Sequence, residues 1–118
     1  MFIERLRKIA ERIGDVRALS LVAEDGIPVE SVSSDEDLDL EALAAELITQ
    51  VHGIAEDHRE LSAGEVQHFA VTTADSTLMV SSVSDEYYLL LVLGAGGSYG
   101  KARFELRRAR LLLEKDLI

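Results

Sequence analysis

Apolar residues recur at helical spacing across residues 39–61: Leu40, Leu43, Ala44, Leu47, Val51, Ile54 and Ala55 make one stripe. Asp39 stands before them as an N-cap, so the pattern predicts one long helix from Asp39 to Leu61. At about 100° per residue, Ala42, Ala45, Thr49 and Gly53 fall on the opposite side. That side should face water, yet it begins with small residues and turns charged only at Glu56 and Glu60. Such a helix is built for contact on both sides.

The other elements follow from the same periodicities. Phe2, Leu6, Ile9 and Ile13 predict an amphipathic helix over Met1–Ile13, ended by Gly14. Val16–Glu24 is apolar on both faces, as a central strand covered on both sides would be. Asp25-Gly26 signals a two-residue hairpin, with Ile27–Ser33 as the return strand. Pro28 cannot donate to a ladder, which puts that strand at a sheet edge. An acidic loop, Ser34–Leu38, leads into the long helix, and Ser62-Ala63-Gly64 is its stop signal.

Three strands come next. Glu65–Thr73 alternates, with Val66, His68, Ala70 and Thr72 on one face and Gln67, Phe69, Val71 and Thr73 on the other. Thr77–Val83 follows a tight turn, and Tyr87–Leu93 is continuously apolar and therefore central. The short connections imply an antiparallel meander. A last helix over Tyr99–Asp116 carries its core stripe at Ala102, Leu106, Ala109 and Leu113. The order is helix, two strands, helix, three strands, helix. Two central strands that are apolar on both faces need cover on both sides, and three helices can supply it. The expected fold is an α/β (α+β) three-layer α-β-α sandwich with a five-stranded antiparallel sheet, a single domain over residues 1–118.

Composition narrows the function. The 118 residues include no Cys, which removes a disulfide framework, a thiol nucleophile and any Cys-based metal site. The longest apolar run, Leu89–Leu93, is far too short to span a bilayer, and Met1–Ile13 lacks the apolar stretch of a signal peptide. A cytoplasmic protein is expected. The net charge of −10 repels phosphate backbones and anionic lipids, so neither nucleic acid nor membrane insertion is expected. Charge is uneven, with acidic residues gathered in the middle of the chain and Lys101, Arg103, Arg107, Arg108, Arg110 and Lys115 on the last helix. These read as solvated helix faces that could also steer a partner.

No motif in the sequence carries catalytic chemistry. Gly94–Lys101 follows a strand and opens a helix, like a phosphate loop, but Ala95 stands where the first glycine is needed and Ala102 where the metal-binding hydroxyl is needed. It reads as a flexible connection. His52 and His58 lie about 120° apart on the long helix, so they form no metal pair, and His68 sits in a strand. No constellation suits acid/base or nucleophilic catalysis, and no cofactor is expected. The stripe of Ala42, Ala45, Thr49 and Gly53 remains. Small residues let helix backbones approach closely, and a mid-helix Gly costs up to about 1 kcal/mol against Ala. The strand Glu65–Thr73 has no Pro or Lys to protect it as an edge. A two-fold axis would pair it with its copy and set the long helices side by side.

The element order, the hairpin Leu19-Ser-Leu-Val-Ala-Glu-Asp-Gly-Ile-Pro-Val29 and the segment Ser98-Tyr-Gly-Lys-Ala-Arg-Phe-Glu-Leu-Arg-Arg-Ala109 together resemble the Roadblock family, over nearly the whole chain. That family includes dynein light chains and bacterial MglB-type regulators, with a profilin/longin-like fold. The resemblance implies a homodimer, formed through Ala42, Ala45, Thr49 and Gly53 of the second helix and Gln67, Phe69 and Val71 of the third strand. It also implies a regulator or scaffold of a small Ras-like GTPase, which would meet the second helices at Glu46, Gln50, Gly53 and Glu56, and no catalytic residues in the domain. Two other classes stay open: an assembly module blind to nucleotide state, and a small-ligand sensor, which would need a pocket with convergent polar groups.

Overall fold

The structure, a computed structural model, describes residues 2–60, 62 and 64–116, without the side chains of residues 57–60. Its elements are α1 (Ile3–Ile13), β1 (Val16–Ala23), β2 (Pro28–Ser33), α2 (Leu40–Glu60), β3 (His68–Thr72), β4 (Ser76–Ser82), β5 (Tyr87–Gly94) and α3 (Tyr99–Asp116). All five strands form one antiparallel sheet in the order β2-β1-β5-β4-β3. The two strands apolar on both faces, β1 and β5, are adjacent and interior. The Pro28 strand and β3 are the two edges.

The period of two sorts the continuous apolar runs into two cores. Leu19, Leu21, Leu89, Leu91, Leu93 and Met79 face Leu6, Ile9 and Ile13 of α1 and Ala102, Leu106, Ala109 and Leu113 of α3. Val22, Val80 and Leu90 face Ala44, Leu47, Ile48 and Val51 of α2. The sheet is therefore covered by α1 and α3 on one side and by α2 on the other, the three layers that the pattern implied.

Helix ends obey local chemistry. The Asp39 carboxylate accepts the Ala42 N–H at 3.1 Å, and its carbonyl accepts the Leu43 N–H at 3.0 Å. Gly14, at φ +77°, returns its N–H to the Ala10 carbonyl at 3.0 Å and closes α1. Ser62 and Gly64 both have positive φ, a backbone no helix continues through. Leu61 and Ala63, parts of the expected helix end and stop signal, lie outside the described residues. Arg17 of β1 donates from Nε to Asp35 at 3.0 Å and from Nη1 to Ser76 at 3.0 Å, tying the acidic loop to the sheet. The bond from Arg17 holds the Asp35 carboxyl below the usual aspartate range.

Three details differ from the pattern reading. The hairpin has a four-residue connection, residues 24–27, in place of a two-residue turn. The Asp25 side chain accepts the Ile27 N–H at 3.1 Å, and Ala23 accepts the Gly26 N–H at 2.8 Å. Pro28 then pairs with Val22, across a bulge between Leu21 and Val22. The third strand is also shorter than Glu65–Thr73. Its last ladder bond runs from the Ser82 N–H to the Gln67 carbonyl at 3.0 Å, and β4 ends there, leaving residues 65 and 66 without a strand to pair with. Finally, Ile48 is 2% exposed while Leu40, Leu43, Ile54 and Ala55 are only half-buried, so the buried face of α2 is centred between Ala44 and Val51.

Candidate functional site

The outer face of α2 is open. Ala42, Ala45, Thr49 and Gly53 are all exposed, and the Thr49 hydroxyl is spent on its own helix, donating to the Ala45 carbonyl at 2.9 Å. A Cβ added at Gly53 would meet nothing within 4 Å among the described residues, so no packing among them requires that glycine. Glu46, Gln50 and Glu56 are exposed beside the stripe, with Gln50 Nε2 donating to Glu46 at 3.3 Å. One neighbour touches this helix from the hairpin: a Cβ on Gly26 would stand 3.3 Å from the Ala45 Cα. The side chain of Arg59 lies outside the described residues.

At the far edge, β3 pairs only with β4 among the described residues, leaving its outer side free of sheet partners among them. Phe69 is half-buried against the α2 core, and Val71 is 37% exposed. Gln67 is exposed and precedes the strand. The α2 outer face and the β3 edge thus lie in one chain as separate exposed surfaces.

The glycine-rich connection does not cradle phosphate. A Cβ at Gly94 would stand 2.7 Å from the Asp15 carboxylate oxygens, and the Gly94 N–H is donated to the Asp15 carbonyl at 2.8 Å. A carboxylate at the loop repels a second anion. Among the described residues, no group of three or more His, Asp or Glu is placed to hold a metal ion. His52 is exposed, its ring 6.1 Å from that of Tyr88, whose hydroxyl is pushed up by burial and then by Glu24. A cavity of about 740 Å³ beside them is lined by Glu24, Glu65, Asp85 and Glu114, together with His52 and Arg110. The side chain of His58 lies outside the described residues.

Two features of α3 were not singled out in the sequence. Phe104, Leu111 and Leu112 are 63%, 63% and 48% exposed, on the side away from the core stripe. Their i, i+7, i+8 spacing is a helical face and was legible as such. On another face, Arg103, Arg107 and Arg110 line a hollow of about 60 Å³ with Gln67, His68 and Ser81. Their i, i+4, i+7 spacing was equally legible, but only the fold shows that His68 stands opposite.

An antiparallel five-stranded sheet between α1/α3 and α2 defines a three-layer α+β class, and solved structures share it. No protein-family model matches the sequence, and no curated protein matches it in sequence. MglC from Myxococcus xanthus is 30% identical over 98% of this chain and 98% of its own, with a TM-score of 0.71. The gliding protein MglB from Thermus thermophilus is 18% identical, with 96% of this chain and 85% of its own covered and a TM-score of 0.87. A Roadblock/LC7 domain from Streptomyces avermitilis is 16% identical, with 95% and 93% covered and a TM-score of 0.85. The latter two speak for the fold alone. With the fold and the MglC identity taken together, the chain belongs to the Roadblock family. No helix among the described residues is long and apolar enough to cross a membrane.

Proposed function

We propose that this chain is a non-enzymatic regulator or scaffold, working as a homodimer in the cytoplasm, that binds a small Ras-like GTPase through the outer face of α2. The observation that carries the reading is the 30% identity to MglC over 98% of both chains, on a frame shared with the gliding protein MglB. In this reading, residues 1–118 are one Roadblock-type domain. The radius of gyration of 13.4 Å supports that, since a single folded body of this length has about 13.5 Å.

The dimer pairs β3 with its copy about a two-fold axis, using Gln67, Phe69 and Val71, and lays Ala42, Ala45, Thr49 and Gly53 of the two α2 helices together. The GTPase meets Glu46, Gln50, Gly53 and Glu56. The exposure of all these α2 positions and the open space at Gly53 support this division of the surface. If hydrolysis speeds up, the chain acts by ordering the GTPase's own switch residues, because α2 offers a single Arg, near its end, to reach a phosphate.

The test is affinity and GTP turnover with the Ras-like GTPases encoded in the same genome, loaded with GTP or GDP. Tighter binding of the GTP form, or faster turnover, is the expected result. Equal affinities for both forms make the chain a scaffold, and no binding to any of them ends the proposal.

A further inference from the structure

In a chain of net charge −10, three cations on one helix face form no ion pair among the described residues. Arg103, Arg107 and Arg110 recur at i, i+4 and i+7, and none of them has an ion pair among the described residues. The Arg103 guanidinium donates only a long bond, 3.4 Å, to the Tyr99 hydroxyl. Arg5, Arg7, Arg17 and Arg108 each have an acidic partner, whereas Arg12 on α1 has none among the described residues. Arg103, Arg107 and Arg110 all line the same hollow of about 60 Å³, against Gln67, His68 and Ser81 of the sheet edge. Arg110 also lines the neighbouring cavity, together with Glu114 one turn beyond it, but forms no ion pair there among the described residues.

The wall opposite the arginines is an unfinished hydrogen-bond site. His68 Nδ1 lies 2.8 Å from Ser81 Oγ, while its Nε2 is buried and has no hydrogen-bond partner among the described residues. Burial, and then the charges of Arg103 and Arg107, hold this imidazole below the usual histidine range. It is therefore neutral near pH 7, and when Nδ1 accepts from Ser81 the Nε2–H is a free donor. Buried polar atoms normally find partners, and an orphan marks a missing one. What would answer the three arginines at the hollow that this imidazole also lines is an acceptor that carries negative charge.

We propose that Arg103, Arg107 and Arg110, with Gln67 and His68 behind them, form a binding site for a phosphoryl group. The hollow has room for one small oxyanion. A phosphoryl group presents three or four acceptor oxygens and up to two charges, and guanidinium forks match that geometry. A carboxylate brings only two oxygens and one charge to the same three guanidinium groups, so it should bind more weakly than a phosphoryl group. The site lies within one chain, on the α3 side of the sheet, and shares only Gln67 with the proposed dimer contact and no residue with the GTPase surface, so binding at the three arginines stands or falls separately from the GTPase reading.

The experiment is titration with inorganic phosphate, and in parallel with acetate, in an amine buffer at constant ionic strength, followed at the His68 ring by NMR. Saturable shifts with phosphate, tighter than with acetate, are expected. Arg107→Ala and Arg103→Ala, both at exposed positions, should each weaken binding by about tenfold or more, the loss typical of one charge-assisted hydrogen bond. Lys101→Ala removes the same charge from another face of α3 and should change it by less than about twofold, since exposed charges are largely screened. Acetate binding as tightly as phosphate overturns the proposal. So do shifts that never saturate, or that persist unchanged in Arg107→Ala, which would mark screening by an adventitious ion only.

Discussion

At His68, burial and two arginine charges act in one direction. Both oppose the imidazolium, so the folded chain binds this proton less readily than the unfolded chain does. The groups that face the ring are Ser81, the Tyr99 ring at 6.5 Å, Arg103 and Arg107. The sign of the linkage follows. Stability from this residue is complete above the unfolded histidine pKa of about 6.5 and declines as pH falls through that value towards the depressed folded one. Urea midpoints measured at about pH 7.5 and about pH 5.5 should therefore differ, the acid value being lower. His68→Gln, which keeps a polar group but cannot titrate there, should shrink that difference. An equal pH dependence in the variant would mean that neither burial nor the arginine charges hold this imidazole neutral.

Among the elements, the hairpin and α2 are coupled through one glycine. Gly26 has φ +88°, and any Cβ there would press on the Ala45 backbone at 3.3 Å. Gly26→Ala meets both penalties, and the left-handed backbone alone costs about 1–2 kcal/mol. Denaturant unfolding should show a loss of at least that size, whereas Gly53→Ala, in open space within a helix, should be neutral or stabilising in the single chain. The tip of the hairpin thus helps to fix α2 across the sheet. The sequence made much of this legible. Period-two and period-3.6 runs placed all eight elements, and Pro28 marked its edge. The misses share a cause. Ile48 lies only about 100° from Leu47 and completes the buried face only because α2 is seated on Val22, Val80 and Leu90. The extent of β3 was set by where β4 turns away, and the hairpin length by the Asp25 side chain. Each depends on a neighbour that is distant in sequence or on a side-chain bond, neither of which periodicity encodes. The arginine row was visible as spacing, but the imidazole opposite comes from another element.

For the whole molecule, the proposed dimer brings together two bodies of charge −10 each. Their long-range repulsion must be outweighed locally, and the surface assigned to the contact suits that. Ala42, Ala45, Thr49, Gly53, Phe69 and Val71 carry no charge. Six of the twelve basic residues lie on α3, on the other side of the sheet from α2, so they do not offset the exposed Glu41, Glu46 and Glu56 of α2. Two consequences can be measured together by light scattering. The dimer should loosen as salt is lowered from about 0.15 M towards 0.01 M, because the screening length grows from about 8 to about 30 Å and exposes each protomer to the other's net charge. A carboxylate placed in the contact should break it at any salt, so Phe69→Glu or Ala45→Glu should give the mass of one chain. Circular dichroism checks that each variant remains folded, and Ala45, being exposed, is the safer of the two. A dimer mass for both folded variants would put the interface elsewhere. The exposed Phe104, Leu111 and Leu112 on α3 would then be the next apolar surface to change, and Leu111→Glu the variant to weigh.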